Sequence, residues 1–577
     1  MRVPHLVLLL PALLLASAHR AAAWPPGGVV LERPEPPGAN GSLGLGVDGA
    51  GGTYAVWSER DTTGAYAFRV HRLNVLGDPP AGWTPAGVRA LSPVGLTFAP
   101  LLVPDGVGGT YVGWTEYDST AHVGHLAVDG SLVPGWPARG LAVSSAGRQA
   151  DLVATDDGAG GVLVAWRRTG SGLTQEIFTQ RFLANGTRAP SFPAAGRALT
   201  GFDYERGRFR VQLLRDADRG FWVSFHTVTL DPLLAPSSYA VLHLESSGLL
   251  TASQPPNGLA LSLPEDEIGA QSFPPVPVAL APDGAGGTFA FTLGTNGNVR
   301  AFHVLSSTIE DPSWPAGGVI VASGAGWPSV HFSDNEMNWP VASGDLSGGA
   351  WVGWGDAADF MLHASRVQVD GTIAPGWSSP LPIAGQMTVT LLGDPSGVYA
   401  ASLAAVSCPH FDCYGPLSLV RVNLDGSLAP GWPEALPPYT PAPGIVVGHG
   451  GPQDGPSLVA DGAGGVVAAW IQYPEFMAMR FTTAGQLAGV SPAAGVLTLH
   501  ARFDRSAGVR VRYSTGASPA ARIELFDVTG RRVASVSVSP GSGEIALAGT
   551  RSLGPGVFLA RITTETGTAA TKFVALH

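Results

Sequence analysis

A ten-residue string built on Asp-Gly-x-Gly-Gly recurs along this chain and limits what it can fold into. Close copies read DGAGGTYAVW at 48–57, DGVGGTYVGW at 105–114, DGAGGVLVAW at 157–166 and DGAGGVVAAW at 461–470. Looser copies begin at Asp216, Asp283, Asp345 and Asp394. Successive copies lie 49 to 67 residues apart, so the sequence predicts an array of eight similar units.

Each copy predicts a tight turn followed by a strand. An aspartate side chain can accept hydrogen bonds from backbone amides two or three residues ahead, and glycines take the positive φ angles of such turns. The residues from Tyr54 to Trp57 then alternate in the manner of a half-buried strand. The aspartates predicted to head these turns, in a structural role, are Asp48, Asp105, Asp157, Asp216, Asp283, Asp345, Asp394 and Asp461.

A second element follows the first in many units. It reads VDGSLVPGWP at 128–137, VDGTIAPGW at 369–377 and LDGSLAPGWP at 424–433. Its Asp-Gly predicts a second hairpin, and its Gly-Trp-Pro is expected to end a strand with a ring free to cap a sheet edge. With the short apolar strand that follows, each unit holds about four strands. The fold class predicted is all-β, a β-propeller of about eight blades, with an open β-solenoid as the alternative.

The two ends of the repeat array are expected to meet. The last copy lacks a Gly-Trp-Pro strand of its own, and the segment 24–31 (WPPGGVVL) is similar to 314–321 (WPAGGVIV). We therefore expect residues 24–32 to complete the last sheet. Such a closure removes a sheet edge that would otherwise invite aggregation.

The N-terminal segment and the net charge indicate the location and exclude one class of partner. Arg2, an apolar run from Leu6 to Leu15 and small residues up to Ala23 predict a signal peptide over 1–23. The run is too short for a permanent membrane helix, although a membrane anchor is the alternative, and no later apolar stretch predicts one. The formal net charge is −11 with no basic patch, so nucleic acid is not expected as a partner.

The two cysteines, Cys408 and Cys413, lie close together in CPHFDC. In an exported protein such a pair most often forms a local disulfide. A metal site with His410 and Asp412 is the alternative, but two thiols without a second Cys/His pair are weak support for zinc. The sequence therefore predicts a disulfide and no metal centre.

A different unit starts near Val496. It reads ARIELFDVTGRRVASVSV at 521–538, LGPGVFLARI at 553–562 and TKFVAL at 571–576. Strands and Gly turns in this order predict a small antiparallel β-sandwich. The expected domains are the signal peptide 1–23, the propeller 24–495 and this C-terminal domain 496–577.

The C-terminal residues resemble the type IX secretion system sorting domain, which is close to FlgD-type Ig-like domains. The resemblance rests on Asp527, Gly530, Arg531, Val533, Leu553, Pro555, Gly556, Val557, Phe558, Thr571, Lys572 and Val574. It implies export across an outer membrane, with the domain recognised by the secretion machinery. Phe558 stands where Tyr is commoner, and one basic residue stands near the end where two are usual. An Ig-like module without a sorting role is the alternative.

No motif in the chain predicts a catalytic centre or a cofactor. Each Asp-Gly-x-Gly-Gly copy offers one acid, whereas a calcium loop needs several, so a structural turn is favoured. The copies are similar to the Asp-boxes of sialidase-type propellers, which are also structural, although the glycine spacing differs. A glycosidase would need two positioned carboxylates, and the acids at 265–267 and at Asp334 and Glu336 were expected in solvated loops.

The expected function is that of a secreted or cell-surface protein that binds a glycan or a protein through loops on one face. The longest units begin at Asp216 and Asp394, and loops on a rigid scaffold are where binding usually occurs. A secreted hydrolase or lyase acting on a polysaccharide is one alternative. A structural surface protein without a discrete ligand is the other.

Overall fold

The protein is described here by a computed structural model. It describes residues 29–32, 43–48, 52–60, 66–74, 77–80, 82–84, 87–93, 97–116, 118–169, 175–200, 206–216, 220–229, 238–252, 254–267, 278–294, 296–323, 340–345, 347–356, 361–377, 381–383, 387–403, 415–432, 445–450, 457–461, 464–472, 475–485, 498–504, 508–514, 521–527, 531–538, 542–554, 556–564 and 567–575. The chain divides into two compact units, Met1–Ala488 and Gly489–His577. The predicted boundary after residue 495 lies close to this division.

The first unit consists of antiparallel sheets, one for each Asp-Gly repeat. Sheet 1 contains β2 (Leu43–Val47), β3 (Thr53–Arg60), β4 (Tyr66–Leu73) and β5 (Val88–Leu91). Sheet 2 contains β6 (Thr97–Pro104), β7 (Thr110–Glu116), β8 (Ala121–Leu126) and β9 (Leu141–Ala142). Sheet 3 contains β10 (Arg148–Asp156), β11 (Val162–Thr169), β12 (Gln175–Phe182) and β13 (Arg197–Ala198). Sheet 4 contains β14 (Arg206–Arg215), β15 (Phe221–Thr229), β16 (Ser238–Leu244) and β17 (Leu259–Ala260).

The second half of this unit repeats the pattern. Sheet 5 contains β18 (Ala279–Pro282), β19 (Thr288–Leu293), β20 (Val299–Leu305), β21 (Ile309–Glu310) and β22 (Val319–Ala322). Sheet 6 contains β23 (Val341–Gly344), β24 (Gly349–Asp356), β25 (Met361–Gln368) and β26 (Leu381–Ile383). Sheet 7 contains β27 (Met387–Asp394), β28 (Gly397–Leu403), β29 (Gly415–Asn423) and β30 (Ile445–Gly450). Sheet 8 contains β31 (Ser457–Ala460), β32 (Val466–Gln472), β33 (Glu475–Phe481) and, as its fourth strand, β1 (Val29–Glu32).

The eight sheets follow one another in a closed cycle. The first strand of each sheet contacts the first strand of the next, and β31 of sheet 8 contacts β2 of sheet 1. Buried apolar clusters lie between every pair of successive sheets, including sheets 8 and 1, where Leu31, Trp57 and Val467 share one core. This is the neighbour order of an eight-bladed β-propeller, in which each blade buries its apolar faces against two others.

The Gly-Trp element joins sheets 1, 2, 5, 6 and 7 to their successors. The indole N–H groups of Trp83, Trp136, Trp314, Trp377 and Trp432 donate to backbone carbonyls at the start of the next sheet's second turn, at 2.8 to 2.9 Å. These rings are buried, with at most 8% of their surface exposed. The expectation of a ring free to cap an edge was therefore wrong, because the carbonyl of the neighbouring turn and the apolar cluster around it hold each ring.

The second unit is a two-layer β-structure. One sheet has the order β34 (Thr498–Asp504), β35 (Gly508–Ser514) and β38 (Ser542–Ala546). The other has the order β37 (Arg532–Val538), β36 (Ala521–Asp527), β39 (Gly556–Thr564) and β40 (Gly567–Ala575). Val511, Ile523, Ala560 and Ile562 form part of the core that both sheets share, as expected of a small sandwich.

Helical structure is confined to one short 3₁₀ helix, Glu265–Glu267, within the residues that the structure describes. In the same residues, no helix has the length and apolarity that crossing a membrane requires.

Candidate functional site

The sheets of the first unit have two ends that differ in construction. At one end of each sheet the first strand passes into the second, and we call this the turn end. We call the opposite end the loop end. The Tyr54 hydroxyl donates to the Gly108 carbonyl and the Tyr111 hydroxyl to the Gly160 carbonyl, each at 2.6 Å. Because these bonds join the Asp turns of successive sheets, the turn ends lie on the same side of the ring.

All eight repeat aspartates lie at the turn end, and their carboxylates close the turns. In seven sheets one carboxylate oxygen accepts the amide of the glycine four residues ahead, at 2.6 to 2.9 Å. A Cβ on Gly109 would lie 2.4 Å from both the Asp105 carboxylate and the Leu126 carbonyl, which explains why this position is glycine. In the shorter turn of sheet 7, Asp394 instead accepts the Ser396 amide at 2.7 Å.

A basic side chain from the third strand of the same sheet contacts each repeat aspartate. The pairs are Asp48–Arg72, Asp105–His125, Asp157–Arg181, Asp216–His243, Asp283–His303, Asp345–Arg366, Asp394–Arg421 and Asp461–Arg480. Sequence reasoning missed these partners. The sequence does contain a signal for these partners, because an Arg or His lies four residues before the second turn, as Arg366 does before Asp370. Backbone amides and an arginine or histidine side chain surround each carboxylate, which gives these turns a structural role.

The same contacts control the protonation of the turn acids. Burial by itself would raise the pKa of Asp283, but hydrogen bonds from His303 and from the amides of Ala285 and Gly287 outweigh it and lower the pKa. The pKa of Asp345 is lowered in the same way, against burial, by Arg366 and the turn amides. These acids are therefore held as carboxylates, the form that the turns need.

The loop end carries the variable part of the chain. Connections from second to third strands, and from each sheet to the next, leave from this end. They range from the short link between Gln472 and Glu475 to the long ones that run from Ala260 to Ala279, from Ala322 to Val341 and from Leu403 to Gly415. First-to-second-strand connections at the turn end are all short. The third-to-fourth-strand connections, also at the turn end, are longer but nearly equal in length, except for the one from Asn423 to Ile445. The loop end differs because both kinds of connection that leave from it are unequal in length, as is usual in a binding surface.

The last position of the repeat marks the level at which the regular ladder of the first strand stops. This position is Trp in sheets 1, 2, 3, 6 and 8, but Phe225 in sheet 4 and Ser402 in sheet 7. In sheets 2, 3, 4 and 7 a β-bulge lies there, with two residues of the first strand opposite one of the second. In sheet 3 Asp151 and Leu152 lie opposite Trp166. In the other sheets the first strand begins only at or after this level. Bulges redirect side chains, so the loop end starts here with non-uniform geometry.

Asp151 is the most unusual residue at this level. It has a φ of 53°, in the left-handed region, and its carboxylate accepts a hydrogen bond from Arg167 Nε at 2.7 Å. Arg167 Nη1 in turn donates to the Gln175 side-chain oxygen at 2.8 Å. The Asp151 and Arg167 side chains keep 22% and 17% of their surface exposed. We call Asp151, Arg167 and Gln175 the bulge site.

Sheet 2 supplies polar groups beside the bulge site. Ser119, in the connection between β7 and β8, has a φ of 66° and accepts a hydrogen bond from Arg148 Nη2 at 3.0 Å. Its carbonyl accepts the Gln149 amide at 2.7 Å, and the Gln149 side chain accepts the Ala121 amide at 2.9 Å. The first strand of sheet 3 is thereby fixed to the loop end of sheet 2.

One predicted solvated loop is partly buried. Glu267 is only 2% exposed and receives hydrogen bonds from Arg300 Nε at 2.6 Å and Nη2 at 2.8 Å, and from Asn298 at 2.7 Å. The expectation was wrong for Glu267, because a buried guanidinium on sheet 5 binds its carboxylate. Glu265, on the same 3₁₀ helix, is exposed. The pair fixes the start of the long connection from sheet 4 to sheet 5.

Several predicted residues lie outside the described part of the chain. These are the signal peptide, Cys408 and Cys413 with the proposed disulfide, Asp334, Glu336, Gly530 and Pro555. In the C-terminal unit, Arg531 donates to the Asp527 carboxylate at 3.1 Å across the turn, Gly556 opens β39, and Lys572 pairs with Leu559 in the ladder. No group of three or more metal-binding side chains occurs among the residues described.

Comparison with known proteins gives only remote similarities. No protein-family model matches the sequence, and no curated protein matches it. A structure of prolyl oligopeptidase B from Galerina marginata is 7% identical over 82% of this chain and 55% of that chain, with a TM-score of 0.36. A Hadza microbial sialidase is 11% identical over 59% of this chain and 70% of that chain, with a TM-score of 0.31.

A quinoprotein alcohol dehydrogenase-like protein from Bacteroides thetaiotaomicron is 10% identical over 61% of this chain and 68% of that chain, with a TM-score of 0.31. The chain spans little more than half of the length of prolyl oligopeptidase B. Similarities of this size carry no argument about activity.

Proposed function

We propose that this chain is an exported, non-catalytic binding protein that contacts a glycan or protein ligand with the loop end of its ring of sheets. The observation that carries the proposal is the difference between the two ends. Eight pairs of an aspartate with an arginine or a histidine hold the turn end in a repeated geometry, while the loop end combines connections of unequal length with bulged first strands. A rigid frame with variable connections on one side is the construction of a binding platform.

The charge distribution at the loop end supports binding rather than hydrolysis. Two of the acids described there are in ion pairs: Glu59 with Arg69 and Arg89, and Glu176 with Arg168. An ion pair of this kind offers a ligand both hydrogen-bond donors and acceptors, as a binding surface needs.

The N-terminal and C-terminal segments support an exterior location. The proposed signal peptide 1–23 would start export, and the C-terminal domain would act as a type IX-like sorting signal for the secretion machinery. Support for the second step comes from the motif residues and from the two-sheet core in which Ile523 and Ile562 are fully buried. Expression without residues 496–577 in a host that has this secretion system should leave the chain inside the outer membrane. Normal export of that variant would refute the sorting role.

The binding role is tested with the full chain purified after export. We expect retention of a defined glycan on an array, or of a surface protein in a pull-down. A variant in which the connection 230–237 is replaced by the shorter one of sheet 2 (117–120) should bind more weakly. A variant of the exposed turn-end residue Asp425, Asp425→Asn, should bind normally. Release of reducing sugars from a polysaccharide would establish the hydrolase alternative, and a chain that binds nothing would establish the structural one.

A further inference from the structure

The outer edges of sheets 2 and 3 are joined to each other. The fourth strands of these sheets are β9 and β13, and the segments that lead to them run side by side. The Trp136 indole donates to the Ala184 carbonyl at 2.8 Å, and the Ser145 amide donates to the Ala194 carbonyl at 2.9 Å. The two segments therefore form one continuous strip on the fourth-strand side of the sheets.

This strip carries positive charge only. Its charged side chains are Arg139, Arg188 and Arg197, and neither segment 136–145 nor segment 184–197 contains an acid. The formal net charge of the whole chain is −11, so the strip is opposite in sign to the protein as a whole. No run of basic residues marks it in the sequence, because the arginines come from separate segments. We call these two segments the basic edge.

The arginines are particular to this part of the ring. In sheets 4, 5, 6 and 7 the corresponding stretch, from the end of the third strand through the fourth strand, contains no arginine. Arg188 forms an isolated β-bridge with Phe182, and the residues that form this bridge in other sheets are aliphatic: Leu132, Leu250, Ile373 and Leu428. Arg188 is exposed, whereas those four side chains are half-buried. Packing of the repeat therefore does not explain the arginine.

The three guanidinium groups have no acidic partner among the described residues. Neutral groups hold two of them, since Arg188 Nη2 donates to the Ala142 carbonyl at 3.5 Å and Arg197 Nη2 to the Ser191 carbonyl at 2.7 Å. Arg139 and Arg188 are exposed, and Arg197 is half-buried. A guanidinium has five N–H donors, so all three arginines keep donors for a ligand.

The arginines form a row and not a single pocket. Arg197 lies opposite Thr179 and Arg188 opposite Phe182, so strand geometry separates the two by about 10 Å along the edge. Arg139 is close to the carbonyl that Arg188 binds, since only a short stretch of chain separates it from Ala142. A row of separated charges suits a ligand that carries anionic groups at repeated intervals.

The chemistry of the basic edge favours carboxylates on a saccharide. The planar guanidinium binds a carboxylate through two parallel hydrogen bonds. None of the exposed large apolar side chains of the described residues lies in the basic edge, although a protein interface or insertion into lipid would need them. The rings of Trp136 and Phe192 are buried, so they offer no surface on which nucleic-acid bases could stack.

We propose that the basic edge binds an acidic polysaccharide, whose carboxylates form hydrogen bonds with Arg139, Arg188 and Arg197. These arginines lie on the outer edge of two sheets and not in the connections of the loop end. The inference therefore goes beyond the proposed function.

The test is binding of the full chain to polygalacturonate and alginate, with neutral dextran, double-stranded DNA and phosphatidylglycerol vesicles measured in parallel. We expect a polyuronate to bind, with an affinity that falls as the salt concentration rises. The basic-edge variant combines Arg139→Gln, Arg188→Gln and Arg197→Gln. It should bind the polyuronate about tenfold more weakly or less, because three charged contacts are lost.

A matched control removes three exposed arginines of the second unit. It combines Arg522→Gln, Arg532→Gln and Arg551→Gln, which change the net charge by the same amount. This variant should bind the polyuronate as the wild type does. Thermal unfolding of both variants checks that the fold is retained.

The outcomes separate this inference from the proposed function. Polyuronate binding that is equal in the wild type and the folded basic-edge variant would refute the inference, as would an equal loss in the control. Binding of DNA or vesicles but of no polyuronate would overturn the ligand class. Binding of only a neutral glycan or a protein would overturn the inference and leave the binding function in place. A chain that binds nothing would overturn both.

Discussion

Val29 in β1 is the antiparallel ladder partner of Ala478 in β33, so the first strand described completes the sheet of the last repeat. The similarity between segments 24–31 and 314–321 predicted this closure. Because β1 is the fourth strand of sheet 8, residues from the two ends of the repeat array share one sheet. We therefore expect the pairing of β1 with β33 to help hold the ring closed.

The closure predicts that substitution of a single residue of β1 lowers the stability of the protein strongly. Leu31 is 3% exposed and packs in the core between sheets 8 and 1 with Trp57 and Leu73. Leu31→Ala should lower the free energy of unfolding by about 3 kcal/mol, through lost burial and a cavity. Denaturant unfolding followed by tryptophan fluorescence measures it. Leu559→Ala, in a half-exposed position of the second unit, is the control and should change little.

The turn-end pairs predict that a repeat aspartate contributes more to the free energy of unfolding than an exposed aspartate does. Asp345 has a fully buried side chain, and its removal leaves Arg366 and the amides of Ser347 and Gly349 without their acceptor. Asp345→Ala should therefore cost about 3 kcal/mol of stability. Asp370→Ala, at an exposed second turn of the same sheet, should cost far less. Equal losses in the two variants would contradict the structural role assigned to the repeat aspartates.

His303 predicts a stability maximum in mildly acidic solution. Its ring lies between Asp283, 3.1 Å from Nε2, and Asp311, 2.8 Å from Nδ1. Burial alone would lower the pKa of His303, but these two carboxylates raise it above its usual 6.5. The histidine's contribution is complete below pH 6.5 and is lost as pH rises through the raised pKa.

The two acids behave in the opposite sense. Their pKa values are lowered despite burial, so their contribution is present above the ordinary value of 3.8 and is lost as pH falls through the lowered values. The pairs should thus stabilise most between about pH 4 and 6.5. His303→Gln should lose this stabilisation in denaturant unfolding measured across pH. A pH profile identical to that of the wild type would contradict the assignment.

His226 predicts a loss of stability on acidification. It is 1% exposed and stacks on Tyr239, and neither ring nitrogen has a hydrogen-bond partner among the described residues. Burial lowers its pKa from 6.5 to about 4. The unfolded chain therefore takes up this proton first, and stability should fall by roughly 3 kcal/mol as pH drops from 6.5 to 4. His226→Phe, measured by melting temperature at pH 5 and 8, should reduce the difference between the two values.

Much of the fold followed from local pattern. Turn chemistry at Asp105 and strand alternation from Tyr111 to Trp114 depend on neighbouring residues, and such local rules identify strands and hairpins. Eight copies then gave the number of sheets, and the similarity of the two end segments gave the closure. Less of the candidate site could be predicted from the sequence, because Asp151 belongs to no recognisable motif. Its bulge depends on how β10 pairs with β11 and how Gln149 meets sheet 2.

The sequence alone determined the repeat, the two kinds of turn and the order of strands, because these follow from side-chain alternation and from residues able to adopt turn geometry. Only the tertiary structure decided which side chains meet across strands and sheets. Arg366 reaches Asp345, Glu267 is buried against Arg300, and the indole of Trp377 donates to the Leu424 carbonyl. Such contacts join residues distant in sequence, and their partners are chosen by packing geometry, which no local pattern contains.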